Sequence, residues 1–212
     1  MKKYLTLILI LFLSSCATKK RIKTEKKIDF TLWNIAKELN SKGLKYIALK
    51  RNCVGGIRIN KPDESDCPNC SPHYSTYILY NENDKSYIRK FDNCSEYNKI
   101  EITSLNPIDY LENHKSELRL QNVGNYKIDN KTYSSISHSC FREYWINDGQ
   151  SVYWKKFDLY NLTNSNDHKN LNYESNNSLA IVILNKSIDE LIKELERGNQ
   201  FKRNKKTCYN NV

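Results

Sequence analysis

Seven cysteines and four histidines are the side chains of this 212-residue chain with the most reactive chemistry. Two of them, Cys67 and Cys70 in "DCPNC" (66–70), stand in C-x-x-C spacing. That spacing serves a redox couple, half a zinc site, or two ends of separate disulfides. A redox couple needs its first thiol at a helix N-terminus, where the dipole lowers its pKa. Here the acidic loop "PDESD" (62–66) precedes the pair and the strand-like "SPHYSTYILY" (71–80) follows it, so the surroundings raise the pKa instead. For zinc, Cys67, Cys70 and His73 have ligand spacing, with Cys53 or Cys94 as a fourth ligand, but a second C-x-x-C is missing. The favoured reading is structural disulfides among Cys53, Cys67, Cys70, Cys94, Cys140 and Cys208, with the zinc set as the alternative.

The other constellations are sparser. His73, His114, His138 and His168 fall on unrelated segments. His138 and Cys140 flank Ser139 in a stretch read as strand, where neighbouring side chains alternate faces and form no dyad. "NDG" (147–149) is a turn and lacks the spaced carboxylates of a calcium loop. Tyr144, Trp145, Tyr153, Trp154 and Phe157 suit either a sheet core or a ligand-binding face, core being the commoner use. Two polar loops, the acidic 63–66 and the asparagine-rich 161–177, are the expected recognition surfaces, since exposed loops on a rigid scaffold carry most binding residues.

Positioning these residues requires a scaffold that the periodicities outline. "IDFTLWNIAKELNSKG" (28–43) predicts a helix capped by Asp29 and ended at Gly43. "LKYIALKRN" and "GGIRIN" predict short strands, and "SPHYSTYILY" and "KSYIRKFDN" a hairpin around "NEND" (81–84). A register with paired positions summing to 164 sets Cys70 opposite Cys94, leaving Cys53 for Cys67 and Cys140 for Cys208. "KIEITSL" predicts a further strand. "NPIDYLENHKSELRL" predicts a helix with Asn106 as cap and Pro107 at its first position, where a missing N–H costs nothing. "KTYSSISHSCFREYWI" and "SVYWKKFDLY" predict a second long hairpin, and "NKSIDELIKELERG" a closing helix. "SLAIVIL" (178–184) satisfies both a strand and a continuation of that helical stripe, and β-branching favours strand. The expected fold is α+β: an antiparallel sheet built from hairpins with about three helices packed on one side. No repeat of fixed period is present.

The first residues set the compartment. "MKKYLTLILILFLSSC" has a basic start and an apolar run too short to span a bilayer but of export-signal length. "LSSC" (13–16) resembles the lipobox of bacterial lipoproteins. The resemblance covers the first sixteen residues and implies cleavage before Cys16, a diacylglyceryl thioether on its sulfur and an acyl chain on the new N-terminus. Such chains contribute about 0.8 kcal/mol per buried methylene, so two or three anchor durably. Ala17 in place of aspartate implies the outer membrane, facing the periplasm.

Removing residues 1–15 leaves 32 basic against 24 acidic residues, a net charge of +8. Residues 19–27 carry +5 of it and residues 202–206 carry +4, so the body between them sums to −1. Such a distribution weighs against nucleic-acid binding, which places a basic stripe on the folded surface. It fits a basic tether (16–28) near anionic headgroups, one domain over 29–201, and a basic tail (202–212). The functional expectation is a membrane-anchored, non-catalytic module binding an envelope protein or glycan, without cofactor. The competing expectations are an enzyme acting on envelope polymers and a periplasmic immunity or inhibitor protein.

Overall fold

The computed structural model describes residues 32–55, 74–92, 94–103, 106–165 and 168–204. Helix α1 (32–41) leads into strand β1 (Tyr46–Cys53). Strands β2 (Tyr74–Glu82), β3 (Lys85–Asp92) and β4 (Glu96–Ile102) follow as a meander. Helices α2 (Pro107–Asn113) and α3 (Lys115–Leu120) then cross to strands β5 (Cys140–Asn147) and β6 (Val152–Asp158). A 3-10 turn (Leu159–Leu162), the short helix α4 (Tyr173–Asn177) and the long helix α5 (Ala180–Arg197) complete the order. The six strands form one antiparallel sheet, β4-β3-β2-β1-β5-β6, so the fold is α+β as expected.

Alternation divides the sheet into two faces. Ile47, Leu49, Tyr77, Leu79, Ile88, Tyr144, Ile146 and Phe157 face α2, α3 and α5 and form the larger core. Tyr46, Ala48, Ile78, Tyr80 and Phe91 face Ile35 and Leu39 of α1 on the other side. Three helices thus share one face, and the first helix covers the other.

Several elements follow from their sequences. Asn106 caps α2, its side chain accepting from the N–H groups of Ile108 and Asp109, with Pro107 next. The expected single helix breaks at His114, whose ring packs on Tyr110 with centroids 4.2 Å apart. From Ala180 onward "SLAIVIL" is helix, not strand. The stripe Ile181, Leu184, Ile188, Leu191 and Leu195 is buried along one side of α5, and burial of that stripe overrides β-branching. The side chain of Gln121 supplies the missing cap by accepting from the Ala180 N–H at 3.1 Å.

The first hairpin differs in register. Tyr80 pairs with Tyr87 and Glu82 with Lys85, a sum of 167 where 164 was expected. The loop shrinks to Asn83 and Asp84, at φ 53° and 60°, the mirror-image two-residue turn whose twist matches the strands. Asn and Asp tolerate that conformation, so both residues before them join the ladder. The second hairpin is also shorter than expected: "KTYSSISHS" is irregular, and β5 starts at Cys140.

Its turn is anchored by Asp148, a fully buried residue. One carboxylate oxygen accepts from the N–H groups of Gln150 and Ser151, and the other from Arg119. Burial alone would raise its pKa, but Arg119 and the two N–H groups outweigh it and hold the value below the usual range. A carboxyl with a lowered folded pKa stabilises above its unfolded pKa, about 3.9, and loses that contribution as pH falls through the folded value. Asp148→Asn is therefore expected to cost about 2 kcal/mol at pH 7 and to flatten the loss of stability between pH 5 and 2. Thermal melts of both proteins across that range check it.

The two sheet edges are treated differently. Along β4, the chain at 202–204 adds a short rung: Asn98 N–H donates to the Lys202 carbonyl and Asn204 N–H to the Glu96 carbonyl. Phe201 packs into the larger core beside Tyr77 and Tyr97. Strand β6, the other edge, has no strand paired to its outer side among the described residues.

Candidate ligand-binding groove

Segment 121–139 runs without regular structure between α3 and β5, and asparagines hold it in place. Asn176 both accepts from the Gly124 N–H and donates to the Gly124 carbonyl, at 2.8 Å each. Asn170 accepts from Lys127 N–H and donates to the carbonyls of Asn161 and Thr163. Asn161 accepts from Tyr126 N–H at 2.9 Å. These three side chains are buried. Each acts as a backbone substitute, satisfying peptide groups that a loop would otherwise leave unpaired. The 161–177 stretch, expected as an exposed recognition loop, is in good part this internal scaffold.

The scaffold fixes one wall of a groove of about 380 Å³ between segment 123–135 and the end of β6. Tyr126, fully buried, stacks on Tyr160 at 4.6 Å and 14°, and Ser134 bonds the Tyr160 hydroxyl at 2.8 Å. An Asp129 turn, accepting from the N–H groups of Lys131 and Thr132, returns the chain so that Tyr133 reaches the groove 58% exposed. Opposite stand Phe141, Lys156 and Asp158. Asp158 Oδ1 accepts from the Tyr160 N–H and the Ser139 hydroxyl, while Oδ2 has no donor among the described residues. Lys156 lies 4.9 Å over the Phe141 ring, with Glu143 3.2 Å from its ammonium. The groove thus offers aromatic faces, hydroxyls, the Asn125 amide, a compensated cation and a carboxylate oxygen with spare accepting capacity.

A second cluster lies between the sheet and α5. Arg142, 5% exposed, donates to Asp189 at 3.1 Å, and Arg51 approaches the same carboxylate at 3.5 Å. Asn185 donates to Asp189 and accepts from the Tyr144 hydroxyl, and burial drives that phenol's pKa well up. Further along α5, Glu196 accepts from Tyr77 and from Lys90 at 2.9 Å. Lys155, also buried, donates to the carbonyls of Arg119 and Gln121 and to Asn122, closing the end of α3, and burial lowers its pKa. These groups engage one another at the border of the core, Glu196 at its exposed end, and tie helices to sheet.

The sequence-based candidates fall as follows. Cys16, Cys67, Cys70, His73, Cys208 and the loop 63–66 lie outside the described residues. Cys53 is bonded to Cys140, which corrects the expected pairs Cys53–Cys67 and Cys140–Cys208. The reason is topological: β1 pairs with β5 in a register that sets Cys53 opposite Cys140. The bond from Val54 N–H to the Ser139 carbonyl marks the next pair as hydrogen-bonded. Cys53 and Cys140 therefore occupy a non-hydrogen-bonded pair, where side chains lie closest, with Cα atoms 3.9 Å apart. Cys94 is also in a disulfide, with its partner outside the described residues, and the register argument for Cys70 no longer holds.

The described histidines are not brought together. His114 is at the α2–α3 junction, and the His168 carbonyl accepts from Tyr126. The His138 ring covers Gly55, where a Cβ would fall 1.7 Å from it. Of the aromatic set, Tyr144 and Phe157 are core, Trp145 and Tyr153 are partly buried, and Trp154 is 54% exposed. Among the described residues, no group of three metal-ligating side chains converges and no helix is long and apolar enough to cross a membrane.

The groove residues Asn125, Tyr133, Ser134 and Asp158 carried no motif. The one local sign was the small polar run "SSISHS", which breaks the alternation of a strand. Comparison of the chain with protein-family models, with curated proteins and with solved structures finds no match.

Proposed function

We propose that this protein is a lipid-anchored binding module of the bacterial envelope that recognises its ligand non-catalytically in the groove between segment 123–135 and β6. The groove carries the reading: hydroxyls, an amide and a carboxylate sit among aromatic faces on a wall fixed by buried asparagines, an arrangement suited to holding a ligand. Support for the location comes from the lipobox-like "LSSC", the basic tether and the structural disulfides, which persist in oxidising compartments. The anchor would be Cys16 at the outer membrane, with the domain facing the periplasm.

Two measurements test this. Cys16→Ala is expected to leave an unprocessed precursor, whereas the native protein exceeds its polypeptide mass by two or three acyl chains. A normally cleaved variant rejects the anchor. For the groove, soluble peptidoglycan fragments and a tryptic digest of envelope proteins are titrated into the mature protein while backbone signals of Asn125, Ser134, Ser135 and Tyr160 are followed. One of the two should shift them, and Tyr133→Ala should weaken binding about tenfold. If neither probe shifts them, or if Asp158→Asn abolishes turnover of a probe without loss of folding, the reading fails.

A further inference from the structure

The direction of the backbone along the free edge of β6 suggests what the groove holds. Since Val54 and Ser139 form a hydrogen-bonded pair, Phe141, Glu143 and Trp145 direct their peptide groups toward β1. Their neighbours Arg142, Tyr144 and Ile146 must then bond to β6, through Phe157, Lys155 and Tyr153. The intervening residues therefore turn outward. The N–H and C=O of Trp154 and Lys156, and the N–H of Asp158, have no partner among the described residues. Lys156 and Asp158 are also groove residues, so this row of open donors and acceptors runs into the groove. The opposite edge, β4, has its first outward groups, the Glu96 carbonyl and the Asn98 N–H, taken by residues 202–204.

We infer that the ligand is an extended polypeptide segment carrying a basic residue, added as a seventh strand along β6 with that residue at Asp158. The inference rests on the groove being the binding site and specifies its occupant. Main-chain bonds to an open edge supply affinity, and alternate side chains supply specificity. On the exposed face the added strand meets Trp154 and Val152, 54% and 50% exposed, which suit an apolar residue. Next along the strand, Glu143 compensates the charge of Lys156. That weakens the barrier an edge lysine usually sets against strand addition. Beyond it, the unused Oδ2 of Asp158 is the place for a lysine or arginine. A saccharide could stack on Tyr133, but it would leave the edge groups unused.

The test uses the mature lipoprotein in detergent micelles and a displayed library of random heptapeptides. Selection is expected to enrich sequences with an apolar residue four or six positions from a lysine or arginine. A synthetic peptide of that kind should slow amide exchange across 152–158 at least tenfold. Asp158→Asn keeps the Oδ1 acceptor and removes the charge, and should weaken the peptide about tenfold. Lys156→Pro removes one outward N–H, a position where an edge strand accepts proline, and should abolish binding while the melting temperature holds within a few degrees. No enrichment, a bound peptide that leaves exchange at 152–158 unchanged, or equal binding by both variants overturns the inference. If peptidoglycan fragments still shift the groove signals, the binding module stands and its occupant is a glycan. If neither probe engages the groove, both proposals fall.

Discussion

Replacing Asp189 by alanine is expected to cost the fold about 3–5 kcal/mol, the usual result of stranding a buried charge. Asp189 compensates two guanidinium groups, Arg142 at 3.1 Å and Arg51 at 3.5 Å. Arg142 has only 6% of its side chain exposed and no other carboxylate on it, whereas Arg51, 30% exposed, can turn to water. The variant also removes the acceptor of Asn185, whose own oxygen holds the Tyr144 hydroxyl. Against a total stability of about 5–15 kcal/mol this is a fifth or more. Replacing Arg142 and Asp189 together by leucine should cost much less, because a buried pair exchanged for apolar groups is often near neutral. Urea unfolding of both variants decides it. A single-variant loss below about 1 kcal/mol, or a double variant as unstable as the single, would show that the pair is not the clasp between β5 and α5.

How far the sequence reveals this arrangement depends on whether the interaction is local. The Asn106–Pro107 helix start could be read directly, because a cap and its first turn are four adjacent residues. The α5 stripe was equally visible, yet "SLAIVIL" was assigned to a strand because β-branching was weighed above periodicity. In the first hairpin, alternation located both strands but left the register to the turn, and positive φ at Asn83 and Asp84 moved it by three. Arg142 and Asp189 are 47 positions apart, and neither looks unusual in sequence.

Asparagine was the more misleading signal. Composition treats it as a surface and loop residue. Asn161, Asn170 and Asn176 instead bury their amides, each accepting from a peptide N–H of 124–127, and Asn170 and Asn176 also place both amide donors on carbonyls where a strand would use its ladder. That use needs no spacing rule, because the partner is whatever backbone passes nearby. The groove was hidden for the same reason. One wall comes from 123–135 and the other from β6, and each segment alone reads as an ordinary loop or hairpin arm.

Removing the Cys53–Cys140 bond should have the other large effect, and it reaches the groove. The two cysteines are 87 positions apart. Closing so long a loop restricts the unfolded chain by about 4–5 kcal/mol in the chain-entropy model, with 2–4 the common measured range. For a domain of this size each kcal/mol moves the midpoint by about 2–4 °C, so the double variant Cys53→Ala with Cys140→Ala should melt about 10 °C lower. The bond also lies beside the groove: Ser139, whose hydroxyl holds Asp158, precedes Cys140, and Phe141 of the groove wall follows it. With the bond gone, the end of β5 is held only by its ladder, and amide exchange at 139–141 should quicken more than at 144–146. Affinity at the groove should fall in parallel. The paired variant is preferable to reductant, which would also open the disulfide of Cys94. A variant within about 1 kcal/mol of the parent, exchanging evenly along β5, would mean that strand pairing alone aligns β1 with β5. The covalent link would then add nothing to the geometry of the groove.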